Sequence, residues 1–353
     1  MRQRAALVSL RFNPAFVQHL VAYAKALREL NFAVDFLLDP AYRQFPELEK
    51  LANVATDFEI PHGTCYTHAL FLNVASQHRS LAARLKRAGA RILYVYHEPW
   101  KTIRSYLKTD GIRSLLIGAA AHRVSLPLLR LADVVITGSE YALSTYRQND
   151  ARHNSNACSF PLIYDDEAGP IAPEMVNRKL YFSYVGSINR VHGFDQYIDV
   201  VRESILRDSD LRFLIASRSP LPAFVLKDKV IRSNPDKVRI LCGRILQITE
   251  INDCYASSLC VWNLYRRSTQ SGVLPKAFMF GTPAIVSRIG SFPEFVCDGF
   301  NGRFSTAGDP NEVLSVLEEI RNRIHEYAVN CRRSFLETFF YRSRLAELSQ
   351  MLG

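Results

Sequence analysis

A chain of 353 residues, 48% apolar and 22% charged, is long enough for about two domains and has an ordinary globular balance. Seven cysteines without a C-x-x-C pair argue against a disulfide framework and a zinc site, and for reduced thiols in a cytosolic compartment. The longest apolar run, Leu115 to Ala121, falls far short of the ~20 residues of a membrane span. The run after Arg2 and Arg4 is too short for a signal peptide. The formal charge is +10, and between Arg79 and Arg130 eleven Lys/Arg face only Glu98 and Asp110. Such a local basic surface attracts phosphates, whether of nucleic acid, acidic headgroups or lipid pyrophosphates.

In chain order, Ala5 to Leu10 reads as a short buried strand, and Arg11-Phe12-Asn13-Pro14 as a turn. From Ala15 to Leu30 apolar residues recur at helical spacing, and Phe32 to Leu38 is the next strand. Strand, helix and strand in this order predict a βαβ unit on a parallel sheet. Ser80 to Ala90 reads as a basic helix and Ile92 to Tyr96 as a strand. His97-Glu98-Pro99-Trp100 follows at the carboxyl end of that strand, where doubly wound sheets place ligands. Lys101 to Leu131 predicts one or two amphipathic, basic helices, and Asp133 to Thr137 a strand, with Ser139 capping the helix beyond it. Pro161 to Pro173 is a linker by composition.

The pattern then restarts. Leu180 to Val185 is a strand, Gly186 to Gly193 a loop, Phe194 to Ile205 a helix and Leu211 to Ala216 a strand. Asp208-Ser209-Asp210 is a D-x-D in an acidic turn and reads as structural. Val238 to Cys242 is a strand, Ile248 to Ser257 a short helix and Leu259 to Leu264 a strand. Ser271-Gly272 opens a helix over Val273 to Phe280, which Gly281-Thr282-Pro283 stops. Ala284 to Ser287 is a buried strand, and Gly290 to Phe295 turns into another short helix. A small-residue loop opening a helix, followed by a parallel-type strand, makes a ready anion site. Glu312 to Tyr327 and Arg332 to Leu352 read as closing helices.

The pieces Ser271-Gly272-Val273-Leu274, Lys276-Ala277-Phe278, Gly281-Thr282-Pro283, Pro293-Glu294 and Asp298-Gly299-Phe300-Asn301-Gly302 stand in an order that resembles the nucleotide-sugar half of GT-B glycosyltransferases. The resemblance is to the retaining family 4 in particular, tight over Tyr184 to Phe304 and loose over the first half. It implies an α/β fold of two Rossmann-like, doubly wound domains with a cleft between them. Residues 1–165 would form the acceptor domain, 174–335 the donor domain, and 336–353 a helix crossing back to the first. Both glutamates of the family's E-x7-E pair are absent, and their positions fall on Ser268 and Lys276. The family's glycine-rich first turn is replaced by Asn13-Pro14-Ala15.

The resemblance also implies site residues, each beside a plainer reading. Gly186 to Asp195 is similar to the family's phosphate loop, with Ser187 and His192 at the places of its arginine and lysine. Arg190 in the same loop supplies a cation; otherwise it is a solvated turn residue. Lys276 is placed either as a diphosphate clamp or as a solvent-facing lysine. Ser271, Gly272 and Val273 open the phosphate-facing helix. Arg244 falls where the family binds the base, and Glu294 either touches the donor or caps its own helix. His97 matches a histidine facing the transferred sugar, with Glu98 acting on the acceptor; the plainer alternative is a core histidine. The other histidines, including His62, His68, His122 and His153, show no metal-ligand spacing, so no metal is expected.

The implied activity is transfer of a sugar from a nucleotide-activated donor to a glycan or lipid-linked acceptor, with retention and with no metal or other cofactor. Bacterial surface polysaccharide synthesis is the expected setting. Arg84, Lys86, Arg87, Lys101 and Arg104 are the expected acceptor or membrane patch, on a protein that is cytoplasmic and peripheral on the inner face of the membrane. Without a nucleic-acid module or stacking aromatics on a basic strand, nucleic acid is not an expected partner. Two alternatives stay open: a sugar-nucleotide epimerase of the same fold, and a non-catalytic binding protein with a lapsed site.

Overall fold

The computed structural model describes residues 3–56, 60, 63–109, 111–306 and 309–353, without the side chains of 107–109. His62 and Asp110, and the side chain of Lys108, lie outside the described residues. The chain divides into two units, Met1–Asp165 with Thr338–Gly353, and Asp166–Glu337.

Unit 1 is built on seven parallel strands: β1 (Arg4–Ser9), β2 (Ala33–Leu38), β3 (Asn53–Ala55), β4 (His68–Phe71), β5 (Arg91–Val95), β6 (Val134–Thr137) and β7 (Ala157–Ser159). Their order is β3-β2-β1-β4-β5-β6-β7. Strands β1, β2 and β5 read as continuous apolar runs because helices cover both faces of a parallel sheet. The order reverses between β1 and β4, so the loops after these strands flank the switch point where such sheets accept ligands.

Unit 2 repeats the plan with β8 (Tyr181–Val185), β9 (Arg212–Ser217), β10 (Val238–Cys242), β11 (Ser258–Asn263), β12 (Ala284–Val286) and β13 (Gly302–Phe304). All pair in parallel in the order β10-β9-β8-β11-β12-β13, and the switch point lies between β8 and β11. Trp262 on β11 is fully buried among Phe182 and Tyr197, and its indole N–H donates to the His192 carbonyl at 2.9 Å. The core therefore anchors the loop after β8 directly. Gly281, at φ +61, ends the helix Val273–Met279; a side chain there would strike Ile171.

Several boundaries differ from the sequence reading. Of the one or two helices expected from Lys101 to Leu131 there are two, bounded at Ile103–Thr109 and Gly111–Leu131, the second starting at a glycine with φ +76. Gly111–Leu131 is long and apolar enough to cross a membrane by length and composition, against the expectation that no segment is; 17% of its most apolar window is buried. The C-terminal helices break at Arg323 and again at a π-helical turn over Phe335–Phe339. Strands β3, β4, β7 and β13 have three or four residues each, too few for a periodic signal. All seven cysteines are free thiols. Asp208 takes φ +55 in its turn and Asp210 pairs with Arg321, so the D-x-D is a structural corner.

Candidate functional site

In unit 2 the polar groups converge at the carboxyl ends of β8, β11 and β12. Gly186 follows β8 with φ +138, and its N–H donates to the Ala216 carbonyl at 2.9 Å. A Cβ on Gly186 would sit 3.9 Å from Val273 Cγ2, so the loop rests against the start of the helix Val273–Met279. No side chain caps that helix. Beside it, Asn263 Nδ2 donates to Ser271 Oγ at 3.0 Å, while Asn263 Oδ1 is buried without a partner. The hydroxyls of Ser268, Ser287 and Ser291 are also buried without partners. Gly290, at φ +56, approaches this group so closely that a Cβ would lie 1.7 Å from the Ser268 carbonyl. Buried polar atoms are nearly always paired, and four orphans around one sheet end mark a surface that a ligand completes.

The expected cations are arranged differently from the sequence reading. Lys276 is buried, with its Nζ 2.8 Å from Glu167 and 2.9 Å from Asn252 Oδ1, so neither a solvent-facing lysine nor an uncommitted clamp describes it. Arg244 holds Glu250 through two hydrogen bonds and is not available to a base without breaking them. Arg266 pairs with Asp195 at 2.8 Å and donates to the Arg190 carbonyl. Arg190 itself is exposed in the loop. His192 stacks on Tyr265 with centroids 4.4 Å apart, and its Nδ1 lies 3.1 Å from the Ser187 carbonyl. Burial pushes its pKa below 6.5, so it sits neutral at pH 7 and supplies a dipole rather than a charge. Glu294 is exposed in the first turn of the helix Phe292–Phe295.

In unit 1, His97 follows β5 and its Nε2 lies 2.8 Å from the Leu72 carbonyl at the end of β4. The Phe16 ring meets it edge-on at 4.7 Å, and His19 lies at 6.3 Å. Burial pushes the His19 pKa down to about 3, fixing it as a neutral group hydrogen-bonded to the Ile163 carbonyl. Glu98 is exposed and Lys101 is buried, so Lys101 leaves the expected surface patch. Lys86 is partly committed to Asp133 at 3.0 Å and to the Leu131 carbonyl. Arg84, Arg87 and Arg104 are exposed. So are Ile103, Ile112, Leu116 and Ile117, each near 60% or more.

One cluster was invisible to residue spacing. His122, Asp150 and His153 each offer a ligand atom within 4.8 Å of the other two, against the expectation of no metal-binding set. The D-x-x-H from Asp150 to His153 was the available signal; the third member comes from a helix 28 positions earlier. The orphaned Asn263, Ser268, Ser287 and Ser291 were missed because small polar residues at strand ends carry no motif of their own.

Residues 179–322 match the family model described as Glycosyl transferases group 1. Among solved structures, the chain is similar to Anabaena HepE in complex with UDP, at 13% identity and TM-score 0.70, covering 99% of both chains. It is also similar to sucrose-phosphate synthase from Thermosynechococcus elongatus, at 14% identity and TM-score 0.73, covering 99% of this chain and 98% of that one. The catalytic domain of starch synthase IV from Arabidopsis thaliana bound to ADP and acarbose aligns over 100% of this chain and 99% of that one, at 12% identity and TM-score 0.66. No curated protein matches the sequence. The chain has the GT-B fold of these structures, and residues 179–322, within its second unit, match the Glycosyl transferases group 1 family model.

Proposed function

We propose that the protein moves a sugar from a nucleoside-diphosphate donor, with retention, to a glycan or lipid-linked acceptor at an anionic membrane surface. The observation that carries donor binding is the set of buried, unpartnered polar atoms on Asn263, Ser268, Ser287 and Ser291. Each such group costs roughly 1–3 kcal/mol when left dry and unpaired, so a ligand rich in hydroxyls gains by filling the site. The diphosphate would lie along the Gly186 loop against the opening of the helix Val273–Met279, with Arg190 as the exposed cation. Helix dipole, backbone N–H groups and Arg190 then stabilise the leaving diphosphate. HepE was solved with UDP and the starch synthase domain with ADP, which makes these two nucleotides the first ligands to try. In unit 1, His97, held through Nε2 by the Leu72 carbonyl, would act on the sugar or acceptor hydroxyl, with Glu98 beside it.

The helix Gly111–Leu131 supports the membrane setting. Ile112, Leu116 and Ile117 are exposed beside Arg113 and Arg123, while Ser125, Leu128 and Leu129 are buried in unit 1. A helix anchored at one end in a folded core reads as lying in the interface, apolar groups down and arginines at the headgroups. On this reading the protein is cytoplasmic and peripheral on the inner face of the membrane, in bacterial surface polysaccharide synthesis.

Calorimetric titration with UDP, ADP and GDP tests the donor site, followed by turnover of the matching nucleotide sugar with a lipid-linked acceptor extract. One of the three should bind, and Arg190→Ala should weaken it by about tenfold or more, the value of one charge-assisted contact. Binding of none refutes the donor site. Binding followed by donor turnover without acceptor product would favour an epimerase.

A further inference from the structure

We propose that His122, Asp150 and His153 bind a divalent transition-metal ion in unit 1, tying the helix Gly111–Leu131 to the turn after the helix Glu140–Asn149. Asp150 caps the end of the helix Glu140–Asn149, and the His153 N–H donates to the Asp150 carbonyl at 2.8 Å. A tight turn therefore presents both residues together, and His122 reaches them from the helix Gly111–Leu131. Asp150 is completely buried, and its Oδ1 has no partner at normal hydrogen-bond distance; the Trp100 N–H and the Tyr96 hydroxyl are the donors that act on the carboxylate. His122 Nε2 lies 3.6 Å from this oxygen, beyond hydrogen-bonding range. A dry, unpaired carboxylate oxygen facing two imidazoles is an unusual expense unless something binds between them.

The outer contacts fit a metal ligand set. His122 Nδ1 lies 3.3 Å from the Tyr96 hydroxyl, so an Nδ1–H can donate there and leave the Nε2 lone pair facing Asp150. Metal-bound histidines are usually held by such a second hydrogen bond. The His122 ring also stacks on Trp100, with centroids 5.1 Å apart. Asp150 Oδ2 accepts the Trp100 N–H at 3.3 Å. Two imidazoles, one carboxylate and a water meet the tetrahedral preference of Zn²⁺. Donors around zinc stand about 3.3 Å apart, so closing the triangle takes about 1 Å of side-chain movement. His153 is half-exposed on a surface turn and can supply it. Two arginines oppose the ion. Arg152 Nε donates to His153 Nε2 at 3.3 Å, and Arg152 and Arg130 both lower the His153 pKa after burial does. Both arginines are exposed, so metal uptake displaces a solvated contact rather than a buried one.

The test uses the full chain without a histidine tag, stripped with EDTA and titrated with Co²⁺. One equivalent should give the visible d–d absorption of a low-symmetry cobalt site, and Zn²⁺ should bleach it. His153→Gln should weaken Co²⁺ by more than about tenfold, and His122→Ala/His153→Gln should remove the band. Circular dichroism of the stripped variants should match wild type. Should the double variant fail to fold, His153→Gln alone, on the surface turn, gives the same reading. No stoichiometric band in wild type, or a band of equal affinity in His153→Gln, overturns the proposal; Cys65 and Cys297, both exposed, would be the alternative ligands.

Discussion

Lys179 tests the core of unit 2 without any ligand. The residue is 7% exposed, and its Nζ donates to the Phe280 carbonyl at 2.9 Å and to Thr282 Oγ1 at 2.6 Å. The Ala256 and Ser258 carbonyls lie at 3.4 Å, and among the described residues no carboxylate forms an ion pair with it. Burial pushes its pKa from 10.5 down to about 7. Below pH 7 both folded and unfolded chains carry the proton, and the cost of burying it is fully present. Between pH 7 and 10.5 the unfolded chain holds a proton that the folded one has lost, so stability rises with pH. Each unit inside that window adds ~1.4 kcal/mol, which with partial titration near pH 7 comes to ~2 kcal/mol between pH 7 and 9. Lys179→Met keeps the bulk and removes the titration, while Thr282 keeps its hydroxyl bond to the Tyr255 carbonyl. Urea unfolding of both proteins at pH 7, 8 and 9 reads the difference directly. Wild type should gain ~2 kcal/mol on the variant across that range. Parallel profiles would mean that the oxygen acceptors hold Lys179 protonated in the fold, and the argument from burial would be wrong.

Three further outcomes follow from the same structure. Lys276→Ala removes the buried ammonium that Glu167 and Asn252 hold, while Asn252 still donates to the exposed Glu167, so urea unfolding should show a loss of roughly 1–2 kcal/mol; an unchanged midpoint would mean the pair contributes nothing. Gly290→Ala forces a Cβ onto the Ser268 carbonyl and a left-handed φ onto alanine. It should lower nucleotide affinity in calorimetry as well as thermal stability, and normal affinity would separate this turn from the donor site. Ile112→Glu/Leu116→Glu should abolish flotation with anionic vesicles while leaving circular dichroism unchanged, because both side chains are exposed. Retained, salt-insensitive flotation would remove the interface reading of that helix.

The fold was legible because doubly wound units write themselves as apolar runs alternating with helical periods. Strands such as Val238–Cys242 and turns such as Gly281-Thr282-Pro283 could be placed to within a residue or two. What escaped was short or non-local. Strand β4, His68–Phe71, has four residues, and its place beside β1 depends on pairing with a segment 63 positions away. The charged residues were the hardest to place. A lysine at position 276 reads as a surface cation until Glu167, more than a hundred positions earlier, is seen to pair with it. The same limit hid His122 from Asp150 and His153.

On the proposed reading, Ser268 and Lys276, which stand where the resembled family carries glutamates, set the character of the donor site. Ser268 offers a buried hydroxyl with no partner, and Lys276 brings a charge of opposite sign that Glu167 takes up at 2.8 Å. Neither position presents an uncompensated carboxylate. A carboxylate only accepts hydrogen bonds, whereas a serine hydroxyl both accepts and donates. Charge-assisted contacts are worth roughly twice neutral ones, so polar recognition around Ser268, Ser287 and Ser291 is weaker per contact and less tied to donor groups on the ligand. The loop after β8 follows the same direction, since His192 is neutral and Ser187 uncharged. On this reading binding energy comes from filling orphaned hydroxyls and from exposed guanidinium groups at the sheet end, Arg190 after β8 and Arg288 after β12. A donor site of the proposed kind would discriminate by shape and hydroxyl pattern, and its nucleotide affinity should fall with salt through Arg190 and Arg288.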